Sequence, residues 1–401
     1  MAKLSLKDLQ LDQKKVLMRV DFNVPQDKDC TITDDTRIKA TLPSIEYILD
    51  QGGKLILLSH LGRPKGKKDP KFSLKKVADR LSELLKKPVF FCEECIGEKA
   101  KAAVDKLNPG DVLLLENLRF HDEEEHQEAA SGFAQQLASF GDVFVNEAFA
   151  NSHRPHASIV MVPKYFKEKS AAGFLMEKEI DAFSKLLKSP KKPFYAIIGG
   201  AKVSSKLGMI KALLNKTDAI LIGGAMAYTF LKASGFAVGN SLVEEEFIEE
   251  AKQILKLSEN KKGAAIFLPV DHLASSDLSG NGKEFFCSSK EGIPEGFYGV
   301  DIGPLTIHLF TEELKKSKTV FWNGPLGIFE VPKFANGTIS IAKVLASLKT
   351  ESIVGGGDSI AALNTAQVAD KIYHVSTGGG SGLEFLEYGI LPGIEVLTEK
   401  T

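Results

Sequence analysis

Two lysines four residues apart, Lys202 and Lys206, follow the pair Gly199–Gly200 in the stretch YAIIGGAKVSSKL. The apolar run Tyr195 to Ile198 reads as a buried strand and the glycines as a tight turn. A helix expected from Ala201 would carry Lys202 in its first turn and Lys206 one turn on, on the same face. The chemistry such a junction offers is anion binding. The first N–H groups of a helix lack internal partners, the macrodipole is positive there, and glycine lets a phosphate approach the backbone. No Gly-Lys-Ser/Thr closes the stretch, so it is not a Walker A loop.

The same grammar recurs in AILIGGA (Ala219 to Ala225), SIVGGGDS (Ser352 to Ser359) and YHVSTGGGS (Tyr373 to Ser381). If these strands lie parallel in one open sheet, all four turns emerge at its carboxyl edge, where α/β proteins bind ligands. Asp358 closes the GGGD cluster at a helix start, a place for a cap or for a Mg²⁺ ligand beside a phosphate. In TVFWNGPLGIFE the loop from Asn323 to Gly327 suits the wall of a ligand slot, Glu330 suits ribose hydroxyls, and Trp322 reads as core.

The first half delivers different groups. VLMRVDFNV ends in Arg19, Asp21 and Asn23, KLILLSHLGRP presents His60 and Arg63, VLLLENLRF ends in Arg119, and DVFVNEAFANSHR ends in His153 and Arg154. Arg37 stands at the start of an amphipathic helix whose stripe is Ile38, Leu42, Ile45 and Leu49. A cation there opposes the dipole, which favours a functional role. The planar fork of arginine matches carboxylate and phosphate, so Arg37, Arg63, Arg119 and Arg154 gathered at one sheet edge would hold a small, strongly anionic molecule. The run Asp122 to Glu125 reads as an exposed acidic helix start, and its flanking His121 and His126 are assigned no site.

The elements that must position these groups are strands alternating with helical patterns, the signature of α/β architecture. With 401 residues, two domains of near-equal size are plausible. Met176, Ile180, Phe183 and Leu187 form an apolar stripe at helical spacing, and Pro190 and Pro193 follow it, so this helix is expected to connect the domains. Lys+Arg 51 against Asp+Glu 52 leaves a formal charge of -1, which advertises neither nucleic acid nor an anionic membrane. No signal core or membrane-length apolar run is found, and a cytoplasmic location is expected. Four cysteines fit a reducing compartment; CEEC lacks a second CxxC and reads as structural, and no zinc-type spacing appears.

Taken together, RVDFNVP, DDTRI, SHLGRP, ENLRF, GGAKVSSKL, GGAMA, DIGP, WNGPLGIFE, GGGDS and STGGGS resemble, in order, the signature segments of the phosphoglycerate kinases. The resemblance implies two Rossmann-like three-layer α/β/α domains with mostly parallel sheets, joined by a connector helix. Residues 1–174 would bind the phosphoglycerate, 175–193 would form the connector and 194–385 would bind the nucleotide. The last residues, 386–401, would pack back on the first domain. The implied enzyme is an ATP-dependent phosphotransferase that moves the acyl phosphate of 1,3-bisphosphoglycerate to ADP, giving 3-phosphoglycerate and ATP, with Mg²⁺ on the nucleotide. Asp21, Asn23, Arg37, His60, Arg63, Arg119 and Arg154 would hold the glycerate and its phosphate. Lys202, Lys206, Gly299, Glu330, Gly355, Gly356, Gly357 and Asp358 would hold the nucleotide, with Arg37 and Lys202 on the transferring phosphoryl and Asp358 reaching the metal. A monomer is expected. The family usually has Asp where Glu147 stands, and Gly where Ala150 and Tyr388 stand.

The residues agree with this chemistry. A carboxylate nucleophile is already ionised at neutral pH, so cations and amides suffice and no general base is needed. A nicotinamide dehydrogenase would need a G-x-G-x-x-G with an acidic residue about 20 further on, which is missing. An exported two-lobed solute-binding protein would carry a signal. Because anion residues precede the connector and nucleotide residues follow it, an open form and a closing motion are expected.

Overall fold

The computed structural model describes residues 3–259 and 263–400. The chain divides into two compact units, Met1–Asp181 with Ile390–Thr401, and Ala182–Gly389.

Unit 1 contains β1 (Lys15–Arg19), α1 (Thr36–Asp50), β2 (Lys54–Leu58), α2 (Lys75–Leu85), β3 (Val89–Cys92), α3 (Gly97–Asp105), β4 (Val112–Leu115), α4 (Ser131–Ala138), β5 (Val143–Asn146), β6 (Ser170–Ala172) and the start of α5 (Phe174–Lys188). Its sheet runs β3-β4-β2-β1-β5-β6 with every pair parallel. Strands buried on both faces read as unbroken apolar runs, and VLLL of β4 and LILL of β2 are wholly buried. The strand order reverses at β1, between β2 and β5. The crevice beyond the carboxyl ends of such strands is where a ligand is expected.

The last stretch of chain completes this unit. Leu4 N–H donates to Thr398 O, Gly393 N–H to Ser152 O, and the Asn146 side chain to Gly393 O at 2.9 Å. The returning segment begins at Ile390, a few residues later than 386, because Leu386 belongs to a unit 2 helix that Gly389 ends in a left-handed conformation (φ 82°). On α5, Met176 and Phe183 of the expected stripe are buried while Ile180 and Leu187 are half-buried; the buried face also takes Glu179, Ala182 and Leu186.

Glu147 is buried just past β5. Its carboxylate accepts from Ser44 Oγ of α1 and from Leu175 and Met176 N–H in the first turn of α5, at 3.0 and 3.2 Å. A Cβ on Gly173 would sit 2.0 Å from its Oε2, so only glycine fits beside it. Burial outweighs the three donors and raises its pKa to about 7. A raised carboxyl contributes stability that is full below its unfolded value and lost as pH rises through 7. Against Glu147→Gln, the wild type should therefore lose roughly 2–3 kcal/mol between about pH 5 and pH 8, read by denaturant titration. A difference that does not change with pH would refute this.

Unit 2 continues with β7 (Phe194–Ile198), α6 (Leu207–Leu214), β8 (Ala219–Ile222), α7 (Met226–Ala233), α8 (Ile248–Glu259), β9 (Ala265–Phe267), β10 (Asp271–Ser275), β11 (Glu284–Ser288), β12 (Tyr298–Ile302), α9 (Pro304–Leu314), β13 (Thr319–Asn323), α10 (Asn336–Ser347), β14 (Glu351–Gly355), α11 (Gly357–Thr365), β15 (His374–Ser376) and α12 (Gly380–Tyr388). Its main sheet, β15-β14-β13-β7-β8-β9, is parallel throughout. Numbered within the sheet, this is the dinucleotide-fold order 3-2-1-4-5-6, with its switch point between β7 and β13. Between the third and fourth of these strands the chain inserts a three-stranded antiparallel sheet, β11-β10-β12. Trp322 is core, fully buried, with its indole N–H on Gly324 O at 2.8 Å.

Among the described residues, no helix is long and apolar enough to cross a membrane, and no cluster of His, Cys, Asp or Glu could hold a metal ion by itself.

Candidate active site

In unit 1 the carboxyl ends of β1, β2, β4 and β5 carry the functional groups. Just past β1, the buried Asp21 carboxylate pairs with the Arg37 guanidinium at the start of α1, which explains a cation at that helix terminus. Asn23 Oδ1 accepts from Gly62 N–H at 2.8 Å and Arg119 Nη1 donates to Gly62 O at 2.8 Å, so the turn carrying His60 and Arg63 is held from both sides. Asn117 fastens the same turn, donating to Leu61 O and Phe72 O.

Beneath it lies a buried polar layer. Arg19, fully buried at the end of β1, donates from Nε to Ser158 Oγ at 2.8 Å and from Nη1 to Val20 O, and its Nη2 lies 3.3 Å from His60 Nδ1. Ser158 Oγ donates a hydrogen bond to Glu124 Oε1 at 2.6 Å, and Ser158 N–H donates to Glu124 Oε2. Thus the acidic run is not an exposed helix start. It forms a 3-10 turn, Asp122–Glu124, whose Glu124 is fully buried beside Arg19, while Glu125 pairs with Arg119 at 3.2 Å. A buried guanidinium needs such an anion.

Cations nonetheless dominate. Burial, and then the charges of Arg19, Arg119, His156 and Arg37, hold His60 well below its ordinary pKa. Burial holds the Arg119 pKa down too, with Arg154 and Arg63 acting in the same direction against Glu125. His156 is lowered to about 3, first by burial and then by Arg119, Arg19 and Arg154. Every unit 1 residue singled out from the sequence is thus in this neighbourhood, with Arg63 exposed and Arg37 and Arg154 half-exposed. Arg119 Nε is buried against the Glu125 carboxylate without a well-directed hydrogen bond, and His156 Nδ1 is buried without one. A surplus of cationic groups of this kind suits a small polyanion.

In unit 2 the turns after β7, β13 and β14 interlock. Gly199 N–H donates to Asn323 O, Gly200 N–H to Pro325 O, Asn323 Nδ2 to Gly355 O and Gly324 N–H to Ser359 Oγ. The helix expected from Ala201 begins only at Leu207. Gly200 at φ 104° turns the chain away from helix, and Glu244 takes both the N–H and the hydroxyl of Ser204 at 3.0 and 2.6 Å. Lys202 is therefore an exposed loop residue, and Lys206 is the residue that precedes α6. The Lys206 ammonium reaches back to Gly199 O, Asn323 O and Asn323 Oδ1, and burial lowers its pKa to about 8 against the pull of Asp358.

Two cavities open on these turns. One, of about 400 Å³, is lined by Gly200, Ala201, Lys202, Lys206, Asn323, Gly324, Gly356, Gly357, Asp358, Gly379 and Gly380 among others, a wall of glycine backbone and two ammonium groups. The other, of about 490 Å³, is largely apolar and is lined by Tyr228, Asn240, Ser241, Leu242, Leu278, Tyr298, Gly299, Val300, Leu326 and Glu330 among others. Both include Gly200, Ala201, Pro325 and Asp358, so they form one slot with a cationic end and an apolar end. Gly355 lines neither cavity; its part is the carbonyl that fixes Asn323.

A cationic pocket in one α/β unit and a slot with a cationic, glycine-walled end and an apolar end in another fit the class of nucleotide-dependent phosphotransferases. The chain belongs to the phosphoglycerate kinase family: the model of that family, described as "Phosphoglycerate kinase", matches residues 6–388. It is 53% identical to a phosphoglycerate kinase of Koribacter versatilis and 50% identical to that of Moorella thermoacetica, in each case over 100% of both chains. The solved phosphoglycerate kinase of Coxiella burnetii, 38% identical, superposes with a TM-score of 0.88 over 98% of each chain.

Sequence reading missed Arg19, Glu124 and His156 as a supporting layer, and Tyr228, Leu242, Leu278 and Tyr298 as cavity wall. The one available signal for the layer was an arginine closing an otherwise apolar strand.

Proposed function

We infer that the chain transfers the acyl phosphate of 1,3-bisphosphoglycerate to ADP, reversibly, with the glycerate held by unit 1 and the nucleotide by unit 2. The observation that carries this reading is the slot of unit 2, whose apolar end suits a purine and whose cationic, glycine-walled end suits phosphates. Asp21, Asn23, Arg37, His60, Arg63, Arg119 and Arg154 are assigned to the glycerate. Lys202, Lys206, Gly299, Glu330 and Gly356 through Asp358 are assigned to the nucleotide, with Gly355 acting through Asn323. The exposed Asp358 carboxylate at the junction of the two cavities fits a Mg²⁺ ion that arrives on the nucleotide, since the described residues offer no metal cluster of their own. Such an ion supplies charge neutralisation on the phosphates. The chain supplies position and further charge: Arg37 and Lys202 are assigned to the transferring group, and the glycine N–H groups to orienting the phosphates. A monomer in the cytoplasm belongs to the same reading.

The direct test is 3-phosphoglycerate-dependent consumption of ATP, followed through a coupled reductant; no consumption would refute the assignment. Within it, Arg119→Ala should raise the Michaelis constant for 3-phosphoglycerate about tenfold or more and leave that for ATP nearly unchanged, because a charged hydrogen bond to one substrate alone is lost. Equal effects on both constants would contradict the division of labour.

A further inference from the structure

We propose that Arg19 is a positioning residue that fixes His60 as the Nε2–H tautomer, so that His60 offers a neutral N–H donor to an anionic oxygen of the glycerate. The proposal rests on the reading that unit 1 binds the glycerate. Its basis is directional. A guanidinium donates and never accepts. The Nε and Nη1 donors of Arg19 are committed to Ser158 Oγ and Val20 O, which aims Nη2 at His60 Nδ1, 3.3 Å away. The orientation of the layer cannot reverse, because Arg19 has only donors to offer to Ser158 Oγ, whose own hydroxyl is turned to Glu124.

His60 Nδ1 must therefore accept, and a neutral ring that accepts at Nδ1 carries its proton at Nε2. The opposite tautomer would set one N–H against another. The doubly protonated ring would place a third cation between Arg19 and Arg119, with His156 and Arg37 also opposing it. Among the described residues the one hydrogen bond of the His60 ring is that at Nδ1, so the Nε2 proton is available to a ligand. A donor without charge adds direction to a pocket where charge is already abundant.

The test is a long-range ¹⁵N–¹H spectrum of the ¹⁵N-histidine-labelled enzyme, with the His60 signals assigned by their loss in His60→Gln. The expected pattern is a neutral ring protonated at Nε2, unchanged from about pH 8 to about pH 5.5. A ring protonated at Nδ1, or doubly protonated near neutrality, would overturn the proposal. In Arg19→Gln, whose amide can either donate or accept, the single tautomer should give way to a mixture, with the Michaelis constant for 3-phosphoglycerate raised about tenfold. A tautomer unmoved in that variant would remove Arg19 from the role, and if the variant does not fold, the wild-type spectrum still decides. Addition of 3-phosphoglycerate should shift the Nε2 signal. No shift, with the tautomer as expected, would defeat the glycerate assignment and with it the second half of the proposal.

Discussion

Lys202→Ala is expected to lower turnover on the order of 10³-fold while changing nucleotide affinity far less, because a cation that meets charge developing during transfer acts mainly on the transition state. The structure sharpens the reason. Lys206 is already engaged by three oxygens of the turns after β7 and β13, whereas Lys202 is exposed at the cationic end of the slot. It is the ammonium that can follow a moving phosphoryl group. Turnover within a few-fold of wild type, measured at saturating substrates, would remove Lys202 from that role.

Gly324→Ala should weaken nucleotide binding strongly and destabilise unit 2. Gly324 has φ 92°, and an added Cβ would lie 2.3 Å from Gly199 O and 2.5 Å from Lys206 Nζ. The Lys206 ammonium, at the end of a flexible side chain, can swing aside, but the backbone at Gly199 cannot give way without pulling the two central turns apart. The left-handed backbone and the forced separation together should cost about 3 kcal/mol or more. The Michaelis constant for nucleotide should rise at least about 100-fold at that cost. Thermal unfolding with and without ADP checks both parts, and a variant that is still stabilised by ADP as strongly as the wild type would contradict the interlocked arrangement.

What was legible in the chain was local. Apolar runs ended by glycine clusters gave β7, β8 and β14 and their common edge, because a strand buried on both faces writes itself as consecutive apolar residues; β15, a half-buried edge strand, showed itself mainly by the glycines that follow it. What was illegible depends on partners remote in sequence. The helix start moved from Ala201 to Leu207 because Glu244, 40 residues away, captures Ser204. Glu124 looked solvated because its hydrogen-bond partner, Ser158, lies 34 residues on. The apolar end of the slot left no motif, since Tyr228, Leu242 and Leu278 are residue types that also build cores.

The discontinuity of unit 1 has a consequence for synthesis on the ribosome. Unit 2 is one unbroken segment, Ala182–Gly389, and its sheet can close as soon as that segment has emerged. Unit 1 cannot. Gly393 is bonded to Ser152 and to the Asn146 side chain, at the two ends of the loop that leads to Arg154. That loop must wait for residues translated after the whole of unit 2. A nascent chain stalled before Ile390 would therefore display a finished unit 2 while the Arg154 loop of unit 1 is still unanchored.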